Sequence, residues 1–208
     1  MYQLRTENIG KRFGRRVLFR RLSIEASPER TLAITGSNGS GKSTLIRILA
    51  GVMRPTRGAV HLSIGNREIS EEERPMYVGL VAPYLNLYDA FTPRENLRFV
   101  AKARRIRAFQ DRISGVLEKV ELSERADDPV GTFSSGMKQR LRFAFALFTE
   151  PPLLLLDEPL ANLDASGVRL VRAIIHQAKG AGQIVIVATN DVDEAASCDD
   201  SICIEDFR

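Results

Sequence analysis

Residues 36–44 read GSNGSGKST and fit the pattern GxxxxGKS/T with Gly36, Gly41, Lys42 and Ser43. Glycines let a loop turn so that successive backbone N–H groups point inward at phosphate oxygens, and a helix starting after it adds the positive end of its dipole. Gly36, Ser37, Asn38, Gly39, Ser40, Gly41, Lys42, Ser43 and Thr44 are therefore the candidate nucleotide-binding residues. The Lys42 ammonium suits β and γ phosphates, and the Ser43 hydroxyl suits Mg²⁺. A second chemical cluster stands far along the chain, where Leu153 to Leu156 run into Asp157-Glu158-Pro159. Asp157 is placed to help Ser43 hold Mg²⁺, and Glu158 to take a proton from, or orient, a water attacking the γ-phosphate. Carried on one strand, the two carboxylates point to opposite sides and can serve metal and water separately.

Both clusters need rigid supports, and the flanking residues supply them. Thr31 to Thr35 reads as a buried strand feeding the phosphate loop, and Leu45-Ile46-Arg47-Ile48-Leu49 as the helix leaving it. Ahead of them, Leu4 to Arg12 reads as a strand, Phe13 to Arg16 as a turn, and Leu22 to Ala26, alternating with period two, as a half-exposed antiparallel strand. Ala59 to Ile64 and Met76 to Ala82 are further strands. From residue 83 to 149 helical spacing takes over, with Leu97, Val100 and Ala101, then Ile113, Val116, Leu117 and Val120, then Leu141, Ala144, Phe145 and Phe148. Leu153 to Leu156 and Ile184 to Ala188 are buried parallel strands, with a helix at Val168 to Ala178 between them. A short helix at Asp191 to Ala196 and an alternating strand at Ser201 to Glu205 follow. Strands alternating with helices predict an α/β fold with a mainly parallel sheet and the ligand at its carboxyl edge.

The totals narrow the class. At 208 residues, 44% hydrophobic and 27% charged, the composition is that of one globular α/β domain. No apolar run approaches the ~20 residues a spanning helix needs. The polar opening MYQLRTENIG lacks the apolar core of a secretory signal, which gives a cytoplasmic expectation. Cys198 and Cys203 are too few for a disulfide framework or a zinc site. Net charge is +4. Arginines gather at Arg12, Arg15, Arg16, Arg20 and Arg21, with Lys102, Arg104, Arg105 and Arg107 as a second basic group; these read as solvated faces with scattered acidic partners.

Phe133-Ser134-Ser135-Gly136-Met137-Lys138-Gln139-Arg140 places small residues at the opening of a helix between the two clusters. Here the chain resembles the ATP-binding cassette family, whose LSGGQ signature occupies this place. Ser134 and Gly136 are kept, while Phe133, Ser135 and Met137 replace Leu, Gly and Gln. The resemblance covers residues 2 to 206. It implies a P-loop NTPase core at 1–82 and 150–208, an antiparallel β subdomain, and an inserted helical lobe at 83–149. It also implies that Ser134 and Gly136 bind the γ-phosphate of ATP held by a partner copy's loop, so that two chains sandwich two ATP molecules head to tail. Phe13 falls where the family stacks an aromatic ring on adenine, and Asp164, in Ala161-Asn162-Leu163-Asp164, in the loop that crosses the dimer interface.

Two positions depart from the family. Pro83 stands where a glutamine is usual, with Asn86 nearby as a substitute, and Asn190 where a switch histidine is usual. An asparagine donates an amide hydrogen bond but exchanges no proton near neutral pH. With Asp157 and Glu158 intact, the expectation is Mg-dependent ATP hydrolysis at a modest rate.

The short chain and the stretch from Pro83 to Leu97 favour the ATP subunit of a membrane transporter, on the inner face of the cell membrane beside a separate permease. Tyr84, Leu85, Leu87, Tyr88 and Phe91 could line the groove that receives that partner. The stretch ITGSNG also resembles the ATP subunit of the haem exporter of cytochrome c maturation. The competing readings are a soluble cassette ATPase acting on nucleic acid or ribosomes, and a nucleotide-gated dimer with little hydrolysis. DNA-repair relatives carry a long coiled coil or zinc modules and translation relatives two cassettes; neither is present here, so no nucleic acid is expected.

Overall fold

The computed structural model describes residues 2–208. Strands β1 (Tyr2–Phe13), β2 (Arg16–Leu22), β3 (Glu25–Ala26) and β4 (Thr31–Thr35) come first, then helix α1 (Lys42–Leu49). Strands β5 (Arg57–Ile64), β6 (Arg67–Ile69) and β7 (Val78–Val81) follow, and then helices α2 (Pro93–Ala103), α3 (Gln110–Lys119) and α4 (Ser135–Leu147). The remaining elements are β8 (Leu153–Asp157), α5 (Ala165–Gly180), β9 (Ile184–Ala188), α6 (Val192–Ala196), β10 (Asp200–Cys203) and a 3-10 turn at Ile204–Phe207.

Five parallel strands form the central sheet in the order β10-β4-β9-β8-β7. Every residue of β8 and β9 is buried, which is why LLLLD and IVIVA read as unbroken apolar runs instead of alternating ones. The pleat still sorts them. Leu153, Leu155, Ile184 and Ile186 pack with Ile46 and Ile48 of α1, while Leu154, Leu156, Val185 and Val187 face Leu141, Phe143, Val171 and Ile174 on the other side. Each such side chain contributes about 1.5–3 kcal/mol by leaving water. The sheet is therefore a stiff plate with its carboxyl edge free to carry loops.

The second sheet is antiparallel, in the order β2-β1-β5-β6 with β3 also on β1. Its pairing of β1 with β5 shifts register between Glu7 and Gly10. At that bulge a Cβ on Gly58, where φ is +78°, would lie 2.2 Å from the Glu7 carbonyl oxygen, so only glycine fits.

Helix α2 starts with a reciprocal cap: the Glu95 N–H donates to Thr92 Oγ1 at 3.1 Å and the Thr92 N–H to Glu95 Oε2 at 2.9 Å. Helix α4 is seated directly on the sheet. A Cβ on Gly79 of β7 would come within 2.4 Å of the Ala146 carbonyl oxygen, so strand and helix backbones nearly touch. Helices α2 and α3 pack against α4 and against each other.

Strand boundaries differ from expectation in several places; the final strand, expected at Ser201 to Glu205, is Asp200–Cys203, because Ile204–Phe207 turns into a 3-10 helix. Strand β2 was not anticipated, because its register against β1 slips twice, leaving Leu18 and Phe19 buried side by side and hiding the alternation. Leu22 to Ala26 is not one strand: it breaks at Ser23-Ile24, where Thr6 Oγ1 accepts from the Ile24 N–H at 2.9 Å and takes over the pairing. Strand β7 starts at Val78, since Pro75 turns residues 74–77 into a 3-10 helix.

Candidate functional site

The loop from Gly36 to Gly41 joins β4 to α1 at the carboxyl edge of the sheet. Gly36, Gly39 and Gly41 all have positive φ, so the backbone turns where a side chain would resist. The helical ladder opens with Leu45 N–H on the Gly41 carbonyl at 2.9 Å; the amides ahead of it are the helix-terminal donors an anion can take. Lys42 is only 6% exposed, and its Nζ donates to the carbonyls of Gly36 at 2.8 Å and Ser37 at 3.3 Å. The ammonium also lies 3.5 Å from Glu158 Oε1.

The loop rests on the 3-10 turn after β10. A Cβ on Gly36 would meet Ile204 Cγ2 at 2.9 Å, and Ser37 Oγ donates to Glu205 Oε1 at 2.6 Å. That contact holds the Glu205 carboxyl below its ordinary pKa. Sequence reading did not find it, because the partners are far apart in the chain.

Asp157 ends β8, with β9 between it and β4. It is 1% exposed, and neither carboxylate oxygen has a hydrogen-bond partner. Burial pushes its pKa up; the Ser43 hydroxyl, close by but outside hydrogen-bond geometry, pulls it partly back. Two buried anionic oxygens without donors beside a serine hydroxyl fit a hard, oxygen-seeking cation such as Mg²⁺.

Glu158 does not sit on the strand. Its φ is +48°, and its N–H donates to the Ala188 carbonyl at 2.8 Å. The two carboxylates are thus separated by a backbone kink clamped to the end of β9, not by the alternation of a strand.

A cleft of about 430 Å³ runs from Phe13 past Asn38 to Lys42, Ser43 and Glu158. Phe13, 51% exposed, is no core residue; Lys11 Nζ stands 5.1 Å from its ring centroid. Arg16 also lines the cleft and donates to the Gly39 carbonyl at 3.2 Å, a contact the basic cluster in the sequence did not reveal. Among the described residues no carboxylate pairs with Arg12, Arg15, Arg16, Arg20 or Arg21, so the acidic partners expected for this cluster are absent. A larger cleft, of about 490 Å³ between Tyr2, Arg112, Phe148 and Pro151, contains none of the phosphate-loop or carboxylate groups.

Asn190 reaches the phosphate loop, its Nδ2 donating to Asn38 Oδ1 at 3.0 Å. Behind it, Thr189 is fully buried and its Oγ1 accepts from the Asp191 N–H at 3.0 Å. Glu194 is buried against this turn, and burial raises its pKa from an ordinary 4.5 to about 7; the Thr189 hydroxyl opposes the rise, and the charges of Glu158 and Asp191 add to it. Sequence reading gave Glu194 no role, since an acid three residues after Asp191 looks like an ordinary helix-start residue. Asn86, the expected substitute for the missing glutamine, is exposed.

Ser134 and Gly136 lie elsewhere, and neither lines the cleft. Ser134 caps α4, accepting from the Met137 N–H at 3.2 Å, while a Cβ on Gly136 would stand 3.3 Å from the Asn162 carbonyl oxygen. Asp164 caps α5, accepting from the Gly167 N–H at 2.8 Å and from Ser166 Oγ at 2.9 Å, contacts that hold its pKa below the usual carboxylate range. These residues make one face at the N-termini of α4 and α5.

A glycine-rich loop opening a helix, a buried carboxylate two parallel strands away and a helical insert before that strand define a P-loop nucleotide-binding cassette. Comparison with known proteins narrows the class. The ABC transporter family model matches residues 19–161, and the chain belongs to that family. It is 33% identical over 204 residues to the uncharacterized ABC transporter ATP-binding protein YdbJ of Bacillus subtilis, covering 97% of this chain and 66% of that protein. It is 31% identical over 205 residues to the Nod factor export ATP-binding protein I of Cupriavidus metallidurans, covering 98% and 68%. The chain thus spans about two thirds of the length of these relatives. Among solved structures, the ATP-binding subunit of an ABC transporter superposes with a TM-score of 0.86 at 26% identity, covering 99% of this chain and 87% of that one. A dimeric cassette in a post-hydrolysis state, bound to ADP and Pi, superposes at 0.85 and 24% identity, covering 98% and 95%, a likeness of fold.

Proposed function

We propose that this chain is the ATP-binding and ATP-hydrolysing subunit of a membrane transporter, acting as a homodimer beside a separate permease on the inner face of the cell membrane. The observation that carries the reading is the convergence of Lys42, Ser43, Asp157 and Glu158 on one edge of the sheet while Ser134 caps a helix, with Gly136 in its first turn, outside that cleft. Such a site is half of a whole. A second copy, turned head to tail, supplies the missing donors at the γ-phosphate from its α4 N-terminus.

In this reading Phe13 stacks on the adenine, the loop amides and Lys42 hold the phosphates, and Ser43 and Asp157 would hold Mg²⁺. A bound Mg²⁺ supplies neutralisation of phosphate charge. Glu158 holds the attacking water and accepts its proton, with Asn190 as an amide donor to a phosphate oxygen. Asp164 braces the dimer face. Residues 83–149 act as a lobe. Leu85, Val52, Phe99 and Val100 line an apolar cleft of about 390 Å³, with exposed Tyr88 and Phe91 nearby, and this surface suits the permease. The Nod factor export protein among the relatives favours an exporter.

The test is ATP turnover by the purified protein with its membrane partner. A Glu158→Gln variant is expected to bind ATP like the wild type and to lose about 10²- to 10⁴-fold in turnover. Equal turnover by the two proteins would sink the hydrolytic part of the reading. Pro83 and Asn190 favour a second reading, a nucleotide-gated dimer with little hydrolysis, and phosphate release by the wild type decides between them.

A further inference from the structure

The loop after β7 has a carbon side chain, Pro83, at the position where the family pattern carries an amide. The next residue, Tyr84, does carry a polar atom. Tyr84 Oη is buried and has no hydrogen-bond partner, which is unusual for a buried tyrosine hydroxyl. Its ring lies against the Arg47 guanidinium, whose central carbon is 3.9 Å from the ring centroid. Arg47 stacks on the face of the ring, and no hydrogen bond of normal geometry joins the two.

Arg47 is four residues after Ser43 on α1, so the two share a face of that helix. Strand β7 pairs with β8, Val81 opposite Leu156, so the loop that carries Tyr84 leaves the sheet beside Asp157 at the end of β8. Ser43, Arg47, Tyr84 and Asp157 therefore stand at the same edge of the sheet, Asp157 buried and the other three half-buried. Two of them, Asp157 and Tyr84, have unpaired polar atoms of opposite capacity, since a carboxylate only accepts and a phenol can donate.

We propose that Tyr84, oriented by Arg47, is a positioning residue for the Ser43–Asp157 cation site, its hydroxyl donating to a water or phosphate oxygen there in place of the amide that Pro83 cannot offer. The inference rests on the proposed ATP-binding function. It adds that the cation-dependent part of nucleotide binding runs through Tyr84.

The experiment is calorimetric titration of the purified protein with ATP, once with Mg²⁺ and once with EDTA, for the wild type, Tyr84→Phe and Arg47→Gln. Tyr84→Phe keeps the ring and its stacking and removes only the hydroxyl. We expect its affinity in EDTA to equal that of the wild type and its gain on adding Mg²⁺ to shrink by about three- to tenfold, the worth of one hydrogen bond. Arg47→Gln should shrink the gain in the same direction. A full Mg²⁺ gain in Tyr84→Phe, or an equal loss in EDTA and Mg²⁺, overturns the proposal, the latter by making the role structural. A wild type that binds no ATP overturns the proposed function itself, and the two failures are told apart by the wild-type titration.

Discussion

The phosphate loop and the face carrying Ser134 are both helix N-termini, yet the chain treats them differently. Around the loop every support is internal: Lys42 is tied to two carbonyls and Glu158, Asn38 to Asn190, and Ser37 to Glu205. Ser134 has its own capping bond and, through Gly136, a close neighbour at Asn162, and it does not line the cleft. In the proposed function the first region holds the nucleotide and the second completes the site of another copy. Equal helix-terminus electrostatics therefore yields two functions, set by what surrounds each end.

Substitutions can pull the two regions apart. Lys42→Ala should have the largest effect, on the order of 100-fold weaker ATP binding by the isolated protein, because two or more charge-assisted contacts to phosphate vanish. Ser134→Arg is expected to leave that binding within about twofold while abolishing ATP-dependent dimerisation, read by light scattering with Glu158→Gln as background. If Ser134→Arg weakened binding by the monomer as much as Lys42→Ala does, the contrast would collapse. Asn190→Ala removes one amide bond to the loop and should cost about two- to tenfold in ATP affinity, measurable by the same titration.

A further test concerns stability against pH. The pKa of Glu194 is raised in the folded protein from 4.5 to about 7, so the native state binds more protons than the unfolded chain across that window. Stability should fall as pH rises from about 4.5 to about 7 and level off above. Glu194→Gln should flatten that segment of the Tm–pH curve, and an unchanged slope would show that another group sets it.

Much of this was legible in the sequence, for physical reasons. Gly36 to Thr44 and Leu153 to Glu158 are contiguous, and their residue types state their chemistry. Strands β8 and β9 were readable as buried because both faces of a parallel sheet are covered. Strand β2 was hidden by slipped register, and the kink at Glu158 by the absence of a glycine to mark it. Glu194, Arg16, Tyr84 and Glu205 matter through tertiary neighbours. Nothing in their local sequence distinguishes them from surface residues of the same type.

The seating of the phosphate loop on Ile204 and Glu205 has a consequence for biosynthesis. Made at roughly 5–20 residues per second, the chain presents Gly36 to Thr44 on the order of ten to thirty seconds before the turn that supports it. During that interval the emerging chain has the cradle's sequence without its floor. ATP, which stabilises a protein by binding only its folded form, therefore gives its full support only after β10 has docked beside β4.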